Sequence, residues 1–588
     1  MDEIFSTPNN ENFYAKFSYD DLDPDSRQIR LIRIGKELSE DMIQCEFLPL
    51  QGLDQAQGSY YTLSYCAGSP LKQRQILLNG LIFNVFDNLG HALLQILDFW
   101  KSEKLEEDCI LWIDQICINQ RNIAERSHQV GLMRDIYSNT RQTFICLSTP
   151  NDRRSAASNG LHLINQIDRC LRQGWEGIAD HEDHPYNDDN PRLEVFPRLE
   201  HFLVFNNHTR PGQYTSYKDS DYRVDGARIG LQNVLTRGSM APCSFSSLLT
   251  EVDKASIEAY DLWNSFYDLV ESPWWRRAWI HQEFICSPEV AFMYHYSYVQ
   301  GTSTQAISFL CSEFEDLQHW NWGKLTRGVP ERARLSAVDI RKRNTRLRSD
   351  LTAIKSLTKT KEIWKGEEDL KEILIQFRHC KSSDPRDKIF AFLGLARPCY
   401  GINVDYSKEN TMEAVMIDTA KNIFMCDRNL DILLYTIRTK GSLQLPSWVP
   451  DWTSTTTLVN GRFSELPVDF QHFQYDDINL RVAQSINKHD WTLRVQGLQI
   501  GSLQNRRQIS DWYAAFDIEP DQGGVRCRSS AQEGDELWLL LGAKYPFVLR
   551  KNSEGHTIVS EADSTSMLGR LASRICAGQE VAQEIVLH

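Results

Sequence analysis

The segment from Cys109 to Ser148 limits the fold more than any other. CILWID (Cys109–Asp114) is a short apolar run that ends in an acid, the pattern of a strand buried on both faces. Asn122 and Glu125 then stand at capping-box spacing. The helix they open presents Val130, Met133, Ile136 and Tyr137. TFICLS (Thr143–Ser148) is a second buried-type strand. Strand, helix and strand within about forty residues form a βαβ unit, which calls for a parallel sheet.

Other runs extend this plan. IRLIRI (Ile29–Ile34), YYTLSY (Tyr60–Tyr65) and VAFMYHY (Val290–Tyr296) read as strands. QILLNGLIFNVF (Gln75–Phe86) carries Asn79-Gly80 at its centre, a strong hairpin signal. Leu89, Ala92, Leu93, Ile96, Leu97 and Trp100 line one face of a helix, with Asp87 or Asn88 as its cap. Leu161–Leu171 and Tyr260–Val270 read as further helices. Between them, Glu176–Gly226 is rich in Asp, Asn, His and Pro and reads as a polar surface insert. The expected organisation is a loose segment over 1–26, an α/β domain over 27–300 with the insert at about 176–226, a helical region over 301–399 and a β-rich region over 400–588. The sheet should contain Tyr60–Tyr65, Cys109–Asp114, Thr143–Ser148 and Val290–Tyr296. In the helical region, Asp384, Pro385 and Asp387 mark a helix start.

A net charge of −15 disfavours nucleic acid as a partner. The basic stretch Glu331–Leu351 reads as a solvated helix face. The 14 cysteines form no CxxC pair, and several sit in apolar runs, so buried reduced thiols are expected rather than a disulfide framework or a metal site. The longest apolar run, Ile389–Ala396, is far too short for a membrane span, and the amino terminus lacks a signal pattern. A soluble cytoplasmic protein is expected.

Two places could carry chemistry. Asp114 ends a strand, and open parallel sheets bind ligands at strand carboxyl ends; equally, Asp114 and Asn119 could cap loop amides. The second place is SPWWRRAWIHQE (Ser272–Glu283). Ser272 and Pro273 start a helix that would set Trp275, Trp279 and Glu283 on one face. A carboxylate against indole is desolvated, which raises its pKa and suits acid–base or electrostatic work. Arg276 and Arg277 could hold an anion or pair with acids elsewhere in the chain. The competing reading makes the tryptophans core and pairs Glu283 with a neighbouring arginine. Phosphate-loop, dinucleotide, nucleophile-elbow and zincin motifs are absent from the sequence. Cys117 reads as a structural thiol, and His181 and His184 as solvated.

YTLSYCAG, LWIDQICINQRNIAERSHQVGLMRDIYSNT, SPWWRRAWIHQE, DPRDKIFAFLGLA, VDYS and LPSWVPDW follow one another in the order seen in fungal heterokaryon-incompatibility (HET) domain proteins. The chain resembles the long single-domain type, similar to the heterokaryon incompatibility protein 6 group, from about Ile29 to Leu549. It departs from the family at Ala67, where a tryptophan is usual, and after Leu549, where EADSTSMLGRLASRICAGQE replaces the usual strand. The resemblance implies a role in fungal non-self recognition that ends in growth arrest or cell death, with a protein partner and homo-oligomerisation. It also implies a distant likeness to TIR domains, hence a doubly wound, mostly parallel sheet. In many TIR domains a Ser…Trp-Cys-x-x-Glu helix carries the glutamate that cleaves nicotinamide from NAD. Ser272…Trp279-Ile-His-Gln-Glu283 has similar spacing. By that likeness Glu283 is the catalytic carboxylate, and Asp114, Arg277, Trp279 and Tyr65 line the substrate site. NAD would be a substrate; no resident cofactor or metal is implied. The alternative it leaves is a non-enzymatic interaction module.

Overall fold

The structure, a computed structural model, describes residues 2–39, 42–152, 160–161, 164–165, 168, 265–300, 304–316, 331–436, 443–454, 481–484, 491–519, 523–563 and 582–588. The expected insert at 176–226, with His181 and His184, lies outside these, as do most of 161–171, 260–264 and 564–581. The chain divides into two units, Met1–Trp364 and Lys365–His588.

The first unit is built on a nine-stranded sheet. Its strands are β1 (Ile32–Ser39), β2 (Met42–Phe47), β3 (Tyr61–Ser64), β4 (Gln73–Leu78), β5 (Leu81–Phe86), β6 (Cys109–Trp112), β7 (Thr143–Cys146), β8 (Val290–Tyr294) and β9 (Ser297–Gln300). Their spatial order is β9-β8-β7-β3-β6-β1-β2-β4-β5. The four strands expected from sequence sit together as β8-β7-β3-β6, all mutually parallel. Every residue of β3, β7 and β8 is buried, as strands covered on both faces must be. Outside this core only β2 and β4 run parallel. β6 with β1, β1 with β2, β4 with β5 and β8 with β9 are antiparallel. The sheet is therefore mixed, not mostly parallel as expected. β1 with β2 and β4 with β5 are joined by short connections, which favour antiparallel neighbours. Asn79 (φ 49°) and Gly80 (φ 76°) form the expected left-handed turn between β4 and β5.

Helix α1 (Pro8–Lys16) corrects the expectation of a loose amino-terminal segment. Phe13 is fully buried, at 4.8 Å from the Phe83 ring centre. The Asn10 amide bonds to the Ile4 and Asn84 carbonyls, and its oxygen accepts from the Asn84 amide. Helix α2 (Asp87–Ser102) buries the predicted stripe but begins after Phe86 without a side-chain cap. α3 (Asp114–Cys117), α4 (Ile123–Gly131) and α5 (Met133–Ser138) follow β6, and Asn122 caps α4 by accepting from the Glu125 amide at 3.1 Å. After β7 come α6 (Ile280–Ile285), α7 (Thr304–Asp316) and the 33-residue α8 (Glu331–Ile363).

The second unit carries helices Leu370–Gln376, Asp387–Leu393 and Met412–Asp427, then an eight-stranded sheet dominated by antiparallel pairs. Its longest strand, Trp491–Gln508, pairs on different stretches with Arg481–Gln484, Tyr513–Glu519, Glu536–Leu540 and Gln583–Leu587. Asp384 accepts from the Arg386 amide, so the first helical residue is Asp387 rather than Pro385. Cys399 and Cys426 form a disulfide, Cα atoms 6.1 Å apart, which corrects the expectation of reduced thiols throughout. The two cysteines lie at the ends of a local loop, a pairing that apolar context alone does not reveal. Among the described residues no helix is long and apolar enough to cross a membrane.

Candidate functional site

Because β8, β7, β3 and β6 are parallel, their carboxyl ends share one edge of the sheet, where open sheets place ligands. Each end delivers polar groups: Ser64 and Tyr65 from β3, Asp114 just after β6, Ser148 just after β7 and His295 just after β8.

Glu283, on α6, comes to this edge and is 3% exposed. Arg277 forks onto its carboxylate, Nη1 to Oε2 at 3.1 Å and Nη2 to Oε1 at 3.3 Å. Ser64 Oγ donates to Oε2 and itself accepts from Trp274 Nε1 at 2.7 Å. Ser287 Oγ donates to the Glu283 carbonyl at 2.7 Å and meets Thr143, which meets Thr62, so hydroxyls tie α6 to β7 and β3. Tyr65 donates to Asp114 Oδ1 at 3.2 Å, which also accepts from the Gln115 amide at 2.7 Å. Glu283, Ser64, Tyr65 and Trp274 are buried; Asp114 and Arg277 keep partial exposure.

The electrostatics follow from two carboxyls sharing one guanidinium. Burial pushes Glu283 up; Arg277 and the Ser64 hydroxyl pull it down, and Asp114 pushes it up again. Burial likewise pushes Asp114 up, against Arg277 and its hydrogen bonds. Burial works against the Arg277 charge, but Glu283, Cys66 and Asp114 outweigh it and hold the guanidinium protonated. Burial lifts Tyr65 and Tyr137 well above the ordinary phenol value.

The expected single helix from Ser272 is two pieces. Pro273–Arg276 is one 3₁₀ turn, with Ser272 accepting from the Trp274 amide; Arg277 is extended (φ −78°, ψ 141°); α6 begins at Ile280. The break takes Trp275 out of the expected spacing, while Trp279 and Glu283 stay one helical turn apart, the Glu283 amide donating to the Trp279 carbonyl at 3.2 Å. Trp275 is core: its Nε1 donates to the Leu269 carbonyl, and its ring meets Trp274 edge-on at 4.8 Å. Trp279 precedes the first residue of α6, makes no side-chain cap bond and is partly exposed. The indole joined to Glu283 is Trp274, through Ser64. Arg277, expected against an anion from solution, is paired with Glu283, as the competing reading had it. Asp114 and Tyr65 are brought together. Sequence reasoning missed Ser64 and Trp274. Ser64 was signalled as a hydroxyl at the carboxyl end of a buried strand.

A second cluster lies at the ends of β7 and β8. His91 Nε2 is 3.0 Å from Ser148 Oγ, which accepts from the His295 amide at 2.9 Å; Gln95 Nε2 meets Cys146 Sγ at 3.0 Å. Burial, then His295, lowers His91 to about 4, so it is neutral at pH 7. Among the described residues no group of three or more His, Cys, Asp or Glu side chains could hold a metal ion.

Residues 60–283 match the family described as Heterokaryon incompatibility protein (HET), so the chain carries a HET domain. The match opens at Tyr60, beside β3, and closes on Glu283, so it encloses Ser64, Tyr65, Asp114, Trp274 and Arg277. The chain is also 26% identical over 486 residues to heterokaryon incompatibility protein 6, OR allele, of Neurospora crassa. That alignment covers 76% of this chain and 60% of the relative. No solved structure matches.

Proposed function

We propose that this chain acts in fungal heterokaryon incompatibility and that its HET domain, with a TIR-like parallel core, hydrolyses the N-glycosidic bond of NAD. One observation carries the enzymatic reading: a buried carboxyl at the carboxyl ends of parallel strands, raised by desolvation, in a segment with TIR-like spacing. The C–N bond to nicotinamide breaks with its electron pair going to the ring nitrogen. Positive charge then develops on the ribose, and Glu283 stabilises it. Water adds to the anomeric carbon and releases a proton, while Ser64 holds the Glu283 oxygen in place. Arg277 exchanges Glu283 for a substrate phosphate, a bidentate match of the same kind. Asp114 and Tyr65 form the opposite wall, and the partly exposed Trp279 stacks on a ring of the substrate. Clustering of chains completes the site.

The test is NAD consumption by purified, clustered protein, with Glu283→Gln as control. Loss of turnover in the variant supports the reading; absent or equal turnover in both proteins ends it. The second reading is a non-enzymatic signalling module, favoured by the mutual saturation of Arg277 and Glu283. It requires that stable Glu283→Gln protein still trigger cell death through its protein partner.

A further inference from the structure

We infer that α8 is a positioning element of the Glu283 site and that Asp350 and Lys361 are the residues through which it acts. The inference rests on the site assignment above and names residues beyond the HET match, which closes at 283.

The segment that presents Arg277 and Glu283 cannot hold its own shape. It consists of a four-residue 3₁₀ turn and a six-residue helix separated by three residues, the first of them extended. Pieces that short do not persist in water without tertiary support. The support comes from α8 at three levels. Upstream, Arg343 pairs with Asp268 and Glu271, and buried Asn344 donates to the Tyr267 hydroxyl at 2.9 Å. At the 3₁₀ turn, Arg276 forks onto Asp350, Nε to Oδ1 at 2.9 Å and Nη2 to Oδ2 at 2.8 Å. Downstream, Lys361 Nζ donates to the carbonyls of Phe284 at 2.7 Å and Ser287 at 2.6 Å, and lies 5.1 Å from the Phe284 ring centre. A cation on the last carbonyls of a helix satisfies groups that the helix cannot.

Adjacent arginines thus divide the work. Arg276 is fixed on α8, and Arg277 is fixed on Glu283. With the main chain held on both sides, exchange of Arg277 between Glu283 and a substrate anion becomes a side-chain motion that leaves the carboxyl in place. The basic stretch read from sequence as a solvated face is in this part a clamp: the Arg343 side chain is 13% exposed.

The test reads the ionisation of Glu283 rather than turnover. Full-length protein labelled with ¹³C at glutamate Cδ is titrated, the Glu283 signal being identified by its loss in Glu283→Gln. Asp350→Asn and Lys361→Met should move its midpoint to higher pH, because a loosened Arg277 no longer holds the carboxylate charged. Lys361→Arg should restore the wild-type midpoint. A helix that only adds stability would lower Tm in both variants and leave the midpoint in place, and that result overturns the inference. Should Lys361→Met fail to fold, Asp350→Asn decides alone, since its amide keeps the shape of a partly exposed side chain. Absence of NAD turnover in the wild type would sink the enzymatic reading and leave this measurement standing.

Discussion

Two arginine–glutamate pairs are enclosed among the described residues of the first unit, and their surroundings separate them. Arg30 and Glu125, 3% and 7% exposed at the side chain, are bound up with backbone. Arg30 Nη1 donates to the Cys117 carbonyl at 3.2 Å, Glu125 Oε1 accepts from the Asn119 amide at 2.7 Å, and Tyr19 lies beneath the guanidinium at 4.8 Å. Arg277 and Glu283 are bound up with polar side chains: Ser64, Tyr65, Asp114 and Tyr137. The first pair is a rivet through main-chain groups. The second sets two carboxyls, both raised by burial, against one guanidinium, a perturbed ionisation of the kind that marks working sites.

Arg30→Met should have the largest effect. It leaves the buried Glu125 without its cation, a loss of about 3–5 kcal/mol on the scale of broken buried pairs, read by denaturant unfolding. Arg277→Met should cost clearly less, because Glu283, already raised by burial, can take up a proton. Equal losses would erase the distinction between the pairs. Next is Glu283→Gln, expected to lower NAD turnover on the order of 10²-fold with little change in stability. A matching fall in stability would class the second pair with the first.

The pH dependence sharpens the contrast. Burial raises Glu283 and Asp114 in the folded state, so folded protein keeps these protons longer than the unfolded chain as pH rises. Their contribution to stability is whole below the ordinary carboxylate range and is lost as pH climbs through the raised values. Glu283→Gln and Asp114→Asn should flatten the unfolding free energy across that window, measured by denaturation at stepped pH. An unaltered slope would show that neither group titrates there. The smallest effect is Asn122→Ala, about 1 kcal/mol for a lost helix cap. It should act on the rivet alone, since Glu125 stands on the helix that Asn122 caps.

The parallel core was legible because its strands are short, mostly apolar runs, and the hairpin because only a few residues tolerate the backbone at Asn79 and Gly80. Their order was not legible: β3 inserts between β6 and β7, a pairing that no local pattern encodes. In the site, Glu283, Arg277, Asp114 and Tyr65 stood in motifs, and their chemical types were readable. Ser64 and Trp274 stood in the same motifs, but their part in the site was not readable, since the bond between them joins residues far apart in sequence. The break at Arg277 escaped notice because helical spacing was carried straight through it. The amino-terminal helices were missed because polar residues such as Asn10 work there as buried donors, which composition reads as loose chain.

The register of Val290 on Thr143 has a consequence for how the molecule comes into being. A ribosome delivers β3, β6 and β7 long before β8, so three core strands wait with one edge uncovered. Glu283 reaches the edge of the sheet late in synthesis, and Lys361 later still. A chain cut short between them would carry the whole family-matched segment without the clasp on α6, so truncation there separates possession of the site from its assembly.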